Sequence, residues 1–371
     1  MKKIKYLLIA MLAMMTTTTF VACSDDDDDN INENIARYQN EVDQVVRSQK
    51  KNNKAILLVA FGSTWQQAYD AFDLTRAEYE KEFAGYDVYL SFSSAICINR
   101  ARAAENTAAR SFYEPKYWLE AFGRVQYSEI IVQSMQVIPG EEFSRVVNAM
   151  KDFGNNSNGD LDDKYMSQVV LKLGMPLMYT VQDASTLATA LDNNFSKYAQ
   201  KGAMTFMGHG NPDEYDTYKA NVRYTQLETA LQKLNKNYFV GTVDMVDNYK
   251  VQVHKRMMAN GLNSGNVYCA PLMSIAGDHA HNDMADKEMI PEGVKTFADL
   301  EPNDDGEVED CSWRAYFDMA GYNIDDNTFK DNGNDALVKG LLEYSNIRAL
   351  YKNHTRNAET VDFYHSMYPE E

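Results

Sequence analysis

The stretch that most restricts this chain is the near-continuous apolar run from Lys54 to Phe61, which ends on Gly62-Ser63-Thr64. A strand without polar alternation is buried on both faces, which calls for a parallel sheet covered by helices on each side. The pattern recurs along the chain. Residues 87–92 and 128–134 are strand-like, with helical patterns at 65–83, 115–123 and 141–153. Residues 152–163, rich in Asn, Asp and Gly, form a loop before a further strand at 168–173. A second set then begins, with helices near 184–200, 224–234 and 248–260 and strands at 203–207, 238–243 and 266–272. Two successive alternating sets predict an α/β chain of two lobes, each a parallel sheet flanked by helices. The lobes fall at 54–180 and 181–371. The second carries an inserted acidic loop at 290–310 and a closing helix over 337–351. No sequence-level repeat links the two sets.

The N-terminus reads as an export signal over residues 1–22. Lys2, Lys3 and Lys5 precede an apolar stretch too short to span a bilayer permanently. Phe20-Val21-Ala22-Cys23 resembles a bacterial lipobox with Phe20 where Leu is usual, so we expect a lipid on Cys23. That lipid would hold an exported chain at the outer or inner membrane of the cell envelope, with residues 23–53 as an acidic tether and lead-in helix. The acidic run after Cys23 reads equally as a surface-export signal and as a solvated spacer. The formal net charge is −18, five of it in the run Asp25 to Asp29. The remainder is still acidic and argues against nucleic acid as a partner. Cys97, Cys269 and Cys311 are odd in number and widely spaced, which indicates neither a disulfide framework nor a Cys-x-x-Cys metal site. A homo-oligomer is compatible with all of this.

Two histidine loops follow apolar runs on separate βα units. One is Met207-Gly208-His209-Gly210; the other runs from Ala270 to Met284 and holds Asp278, His279, His281 and Asp283. Open α/β sheets bind ligands outside the carboxyl ends of their strands. Neutral imidazole suits Co²⁺, Fe²⁺, Ni²⁺ and Zn²⁺, so His209 and His279 are candidate ligands of one cation. His209 between two glycines also reads as a simple turn residue. Asp278 and Asp283 are placed to orient imidazoles, although Asp278 serves equally as a cap. His281 reads as a supporting or surface residue, and His254, His354 and His365 as solvent-facing. Arg100 and Arg102 offer guanidinium forks to a polycarboxylate ligand, or a solvated helix face. Ser63 and Thr64 either bond a substrate or cap the following helix.

Taken together, Val59 to Thr64, Gln133 to Phe143, the Met-Gly-His-Gly loop, the Ala270–Met284 loop, Ser312-Trp313 and Ile347 to Tyr351 resemble the anaerobic-type cobalt chelatases, the CbiK family of class II chelatases. The resemblance runs from about residue 54 to 354. It implies two similar α/β lobes around a tetrapyrrole cleft and ATP-independent insertion of Co²⁺ into sirohydrochlorin, a step of anaerobic cobalamin synthesis; Fe²⁺ and Ni²⁺ are alternative metals. It further implies His209 and His279 as metal ligands and catalytic proton acceptors. The family's third ligand, a Glu after a Val-Gly-x-Val strand, falls on Asp244 here, a shorter arm with the same hard oxygen. Gln136 stands where relatives often have His. Arg100 and Ser63 are the candidate substrate-binding residues. Metal insertion exchanges two pyrrole protons for one cation, so a histidine relieved of metal can accept a proton. The competing expectations are a surface lipoprotein that binds metal, haem or a tetrapyrrole for uptake without turnover, and a metal-dependent hydrolase.

Overall fold

Two parallel sheets carry the architecture. The computed structural model describes residues 25–103, 109–324 and 337–360, with side chains from residue 34 onward. The expected leader, Cys23 and His365 lie outside the described residues. In the first sheet β1 (Lys54–Ala60), β2 (Asp87–Phe92), β3 (Glu129–Ser134) and β4 (Val170–Gly174) lie in the order β2-β1-β3-β4. In the second, β5 (Gly202–Gly208), β6 (Tyr238–Thr242) and β7 (Asn266–Pro271) lie in the order β6-β5-β7. Every pairing is parallel, with Leu57 of β1 opposite Tyr89 on one side and Val132 on the other. From Ala55 onward β1 is wholly buried, as an apolar central strand demands.

The helices in chain order are α1 (Asp25–Gln49), α2 (Gln66–Glu82), α3 (Ala95–Ala103), α4 (Pro115–Arg124), α5 (Glu141–Gly154), α6 (Asp163–Met166), α7 (Val181–Ala199), α8 (Val222–Leu234), α9 (Lys250–Ala259), α10 (Trp313–Met319) and α11 (Ser345–Arg356). Local chemistry sets several of their starts. Pro115 opens α4, where its missing N–H costs nothing. Thr180 and Asp183 form a reciprocal capping box on α7, at 3.1 and 2.7 Å. Helix α5 buries Phe143, Val146, Val147, Met150 and Phe153, a stripe of helical period. Both sheets contribute to one continuous apolar core, with Ile56 and Leu58 from β1 and Met204 and Phe206 from β5. A second cluster, including Phe239, Val267, Trp313 and Phe317, covers the other side of the second sheet. Among the described residues no helix is long and apolar enough to cross a membrane.

Several features differ from expectation. The closing helix, assigned with the second lobe, starts only at Ser345 and packs against β3, β4 and α7. An amphipathic pattern specifies which face of a helix is buried, not which sheet receives it. Arg348 of α11 donates to Glu78 of α2 at 2.6 Å and to the Leu342 carbonyl at 2.7 Å. Residues 95–103, which carry Arg100 and Arg102 and received no span of their own from the sequence, form a helix. His254 and His354 are not solvent-facing. His254 is buried among Tyr316, Phe317 and Tyr322, and the largely buried His354 lies 3.7 Å from the Asp183 carboxylate.

Tyr351 of α11, fully buried, closes the join between the sheets. Its hydroxyl donates to the Met135 carbonyl at 3.1 Å, just past β3, and lies 3.2 Å from Ser274 Oγ, just past β7. The Ser274 hydroxyl donates to the same carbonyl. Tyr351→Phe keeps the ring and removes this bridge, so we expect a loss of about 1–2 kcal/mol, read from the urea midpoint at constant slope. An unchanged midpoint would show that the bridge contributes nothing.

Candidate functional site

In each sheet the chain leaves a central strand toward one neighbour and returns on the other side. That reversal falls between β1 and β3 and again between β5 and β7. Crevices form at the carboxyl ends of strands flanking such a point. The loops after those four strands line a single cavity of about 210 Å³, open on one side. Ser63, Gln136, His209 and His279 come from the four loops in turn, and Arg100 of α3 lines the same space.

His209 is held by the glycines beside it. A Cβ at Gly208 would meet Tyr224 Cε1 at 2.4 Å, and Gly210 sits at φ +81° with its would-be Cβ 2.8 Å from the Met245 nitrogen. The turn is therefore sterically required, and it aims an imidazole at the cavity. His209 Nδ1 lies 2.8 Å from the Gly210 carbonyl oxygen, which only accepts, so this nitrogen carries the proton. His279 directly precedes a single π turn (Ala280–Met284), and its Nδ1 donates to the Asp283 carboxylate at 2.5 Å. In both neutral rings the free lone pair is therefore on Nε2. The ring centroids are 4.9 Å apart at 82°. Two imidazoles bound at about 2.1 Å to one tetrahedral ion would have centroids about 5 Å apart, a separation this pair matches.

Asp244 is the residue that the resemblance makes the third ligand. Its Oδ2 lies 3.3 Å from His209 Nδ1, behind the ring, and it does not line the cavity. Among the described residues no three His, Cys, Asp or Glu side chains are gathered closely enough to hold a metal. Asp244 and Asp283 thus back one imidazole each. Burial pulls the His209 pKa down, but the charges of Asp244 and Glu142, the Gly210 carbonyl and the charge of Asp283 outweigh it, and the net shift is upward.

Ser63 is buried, and its Oγ accepts from the Trp65 N–H at 3.2 Å. Trp65, not Ser63 or Thr64, is the N-cap of α2, without a side-chain capping bond. Arg100 reaches the cavity, 3.9 Å from Asp278. Arg102 is structural: it donates to the Phe112 carbonyl at 3.1 Å and lies over the Tyr113 ring. Asp278 neither caps a turn nor backs an imidazole; it accepts from the Trp65 indole. One cavity group escaped the sequence reading, and another, Gln136, was noted only as a departure from the family. Glu142, in the first turn of α5, lines the cavity, and its only sequence signal was the Gly-Glu-Glu helix start. Gln136 bonds Ser134 through Oε1, while its buried Nε2 has no hydrogen-bond partner among the described residues. A buried amide left open beside a cavity is a ready contact for a ligand.

The cobalt chelatase (CbiK) family model matches residues 54–295. Sirohydrochlorin cobaltochelatase of Salmonella typhimurium is 24% identical over 309 residues, covering 82% of this chain and 96% of that protein. Sirohydrochlorin cobaltochelatase CbiKC of Nitratidesulfovibrio vulgaris is 27% identical over 245 residues, covering 66% and 78%. Among solved structures, SirB from Bacillus subtilis with Fe³⁺ is similar at 12% identity and a TM-score of 0.40, covering 60% of this chain and 77% of that one.

The electrostatics can be checked directly. In an NMR titration of the metal-free protein, His209 should titrate above the free-imidazole value of about 6.5. Asp244→Asn removes the largest upward contribution and should move that midpoint down. A midpoint unaffected by the substitution would contradict the placement of Asp244 behind the ring.

Proposed function

The chain belongs to the cobalt chelatase (CbiK) family, and on that premise we propose that it inserts Co²⁺ into a sirohydrochlorin-type tetrapyrrole without ATP. One observation carries this reading: two imidazoles from different strand ends meet in one cavity, each tied down through Nδ1. Co²⁺ is the substrate, held loosely by the two Nε2 atoms; Fe²⁺ and Ni²⁺ suit the same donors. Glu142 from the cavity wall offers an oxygen to the same space, and Asp244 supports His209.

The macrocycle loses two N–H protons as it gains one cation. As the pyrrole nitrogens take over the metal, His209 and His279 regain their Nε2 lone pairs and accept those protons. Asp244 and Asp283 then stabilise the imidazolium charges that form. The raised His209 pKa favours that role near neutrality. The walled volume, about 210 Å³, is below the roughly 300–1,000 Å³ usual for an enclosed ligand site, so the ring enters by one edge. Its peripheral carboxylates stay at the open mouth, where Arg100 offers a fork, and the buried Ser63 offers a hydroxyl from the cavity wall.

The leader residues favour an exported protein with a lipid on Cys23, at the periplasmic or outer face of an envelope membrane. That location also favours a second reading, in which the site binds metal, haem or tetrapyrrole for uptake without turnover. Mixing the purified protein with sirohydrochlorin and Co²⁺ and following absorbance separates the two. The chelatase reading expects turnover, lost by about 100-fold or more in His209→Ala and His279→Ala. Rates equal to the protein-free control would reject it, and stoichiometric binding without turnover would favour the second reading.

A further inference from the structure

We propose that Trp65 is a positioning residue for His279, acting across the two sheets through the residues on either side of that histidine. The inference rests on the reading of His279 as a metal ligand. His279 sits on the long segment after β7, and its own Nδ1 bond to Asp283 lies within that same segment. Such a bond orients the ring relative to its turn but does not anchor the turn relative to His209, which comes from β5.

Trp65 supplies that anchor from the first sheet. It stands at the start of α2, immediately after the loop from β1. Its indole N–H donates to Asp278 Oδ1 at 2.6 Å. Its ring lies flat on the His281 imidazole, with centroids 3.9 Å apart and planes 14° from parallel. Asp278 and His281 are separated in sequence by only His279 and Ala280, so one side chain holds both flanks of that histidine. The contact is close at backbone level too: a Cβ at Gly277 would lie 3.7 Å from Ser63 Oγ. Asp278 also faces Arg100, at 3.9 Å, which adds a second, weaker tie to α3. A stacked ring and a hydrogen bond at different angles restrain both the height and the rotation of the turn, which neither does alone.

The test uses the full chain and Co²⁺ alone as probe. In Trp65→Ala the Co²⁺ dissociation constant should rise about tenfold, the low end for loss of a partner that orients a ligand. The visible absorption bands of bound Co²⁺ should shift with it. Trp65→Phe keeps the stack and Asp278→Asn removes the charged acceptor, so both should fall between Ala and wild type, which separates positioning from a general loss of fold. Amide exchange over residues 277–284 should quicken in Trp65→Ala while β1 to β4 stay protected. Wild-type affinity, bands and exchange in Trp65→Ala would overturn the proposal. Should the wild-type protein take up no Co²⁺, the chelatase reading fails, and exchange alone decides the clamp: quickened exchange over 277–284 supports it and unchanged exchange overturns it.

Discussion

The Met135 carbonyl oxygen, shared by the hydroxyls of Ser274 and Tyr351, is the contact on which the geometry of this protein turns. It joins the end of β3, the segment after β7 and the closing helix at one buried point. Two parallel sheets have no intrinsic reason to present their carboxyl ends to the same cavity. Here a carbonyl that no ladder satisfies is satisfied by groups from the other sheet and from the chain's last described helix. Neighbouring backbone bonds from Leu341 to Met273 and from Leu342 to Ser274, both 2.9 Å, extend the join. Leaving such groups unpaired in the core would cost more than any single bond contributes.

The cavity that results divides its polar groups by depth. At its lip are Arg100 and Asp278, solvated and weakly coupled. Deeper lie the imidazoles, each with a carboxylate or carbonyl on Nδ1, so that the nitrogen left for a ligand is the same on both rings. The groups on Nδ1 fix the tautomer of both rings without occupying the cavity, and the charge of Asp244 raises the basicity of His209. That arrangement suits a cation that must be bound and then surrendered, because coordination by two neutral nitrogens is weaker than by a closed set of anionic ligands. The departure at Asp244 fits the same picture. A side chain one methylene shorter than Glu, starting from the same strand end, stops at His209 Nδ1.

Much of this was legible in the residues. The apolar run of β1, the alternation of strands and helices and the two histidine loops after β5 and β7 all follow from local pattern, since burial on both faces and a glycine-forced turn are written in a few neighbouring positions. The strand over residues 87–92 coincides with its predicted span. Other features were not legible because they depend on partners distant in sequence. Glu142 looks like any acidic residue in a first helical turn, and His254 becomes a core residue only because Tyr316 and Tyr322 surround it. The stack of Trp65 on His281 joins residues more than two hundred positions apart.

Sequence by itself determined the fold class, the order of the elements and the kinds of donor available, because hydrophobic period, turn chemistry and ligand type are properties of short segments. Tertiary structure alone decided which donors meet. It sent α11 back to the first sheet, set Asp244 behind a ring instead of beside it, and brought Trp65 onto the turn that bears His279. The physical reason is that a side chain's period specifies only the face it presents. What that face touches depends on how two separate sheets satisfy each other's buried polar groups.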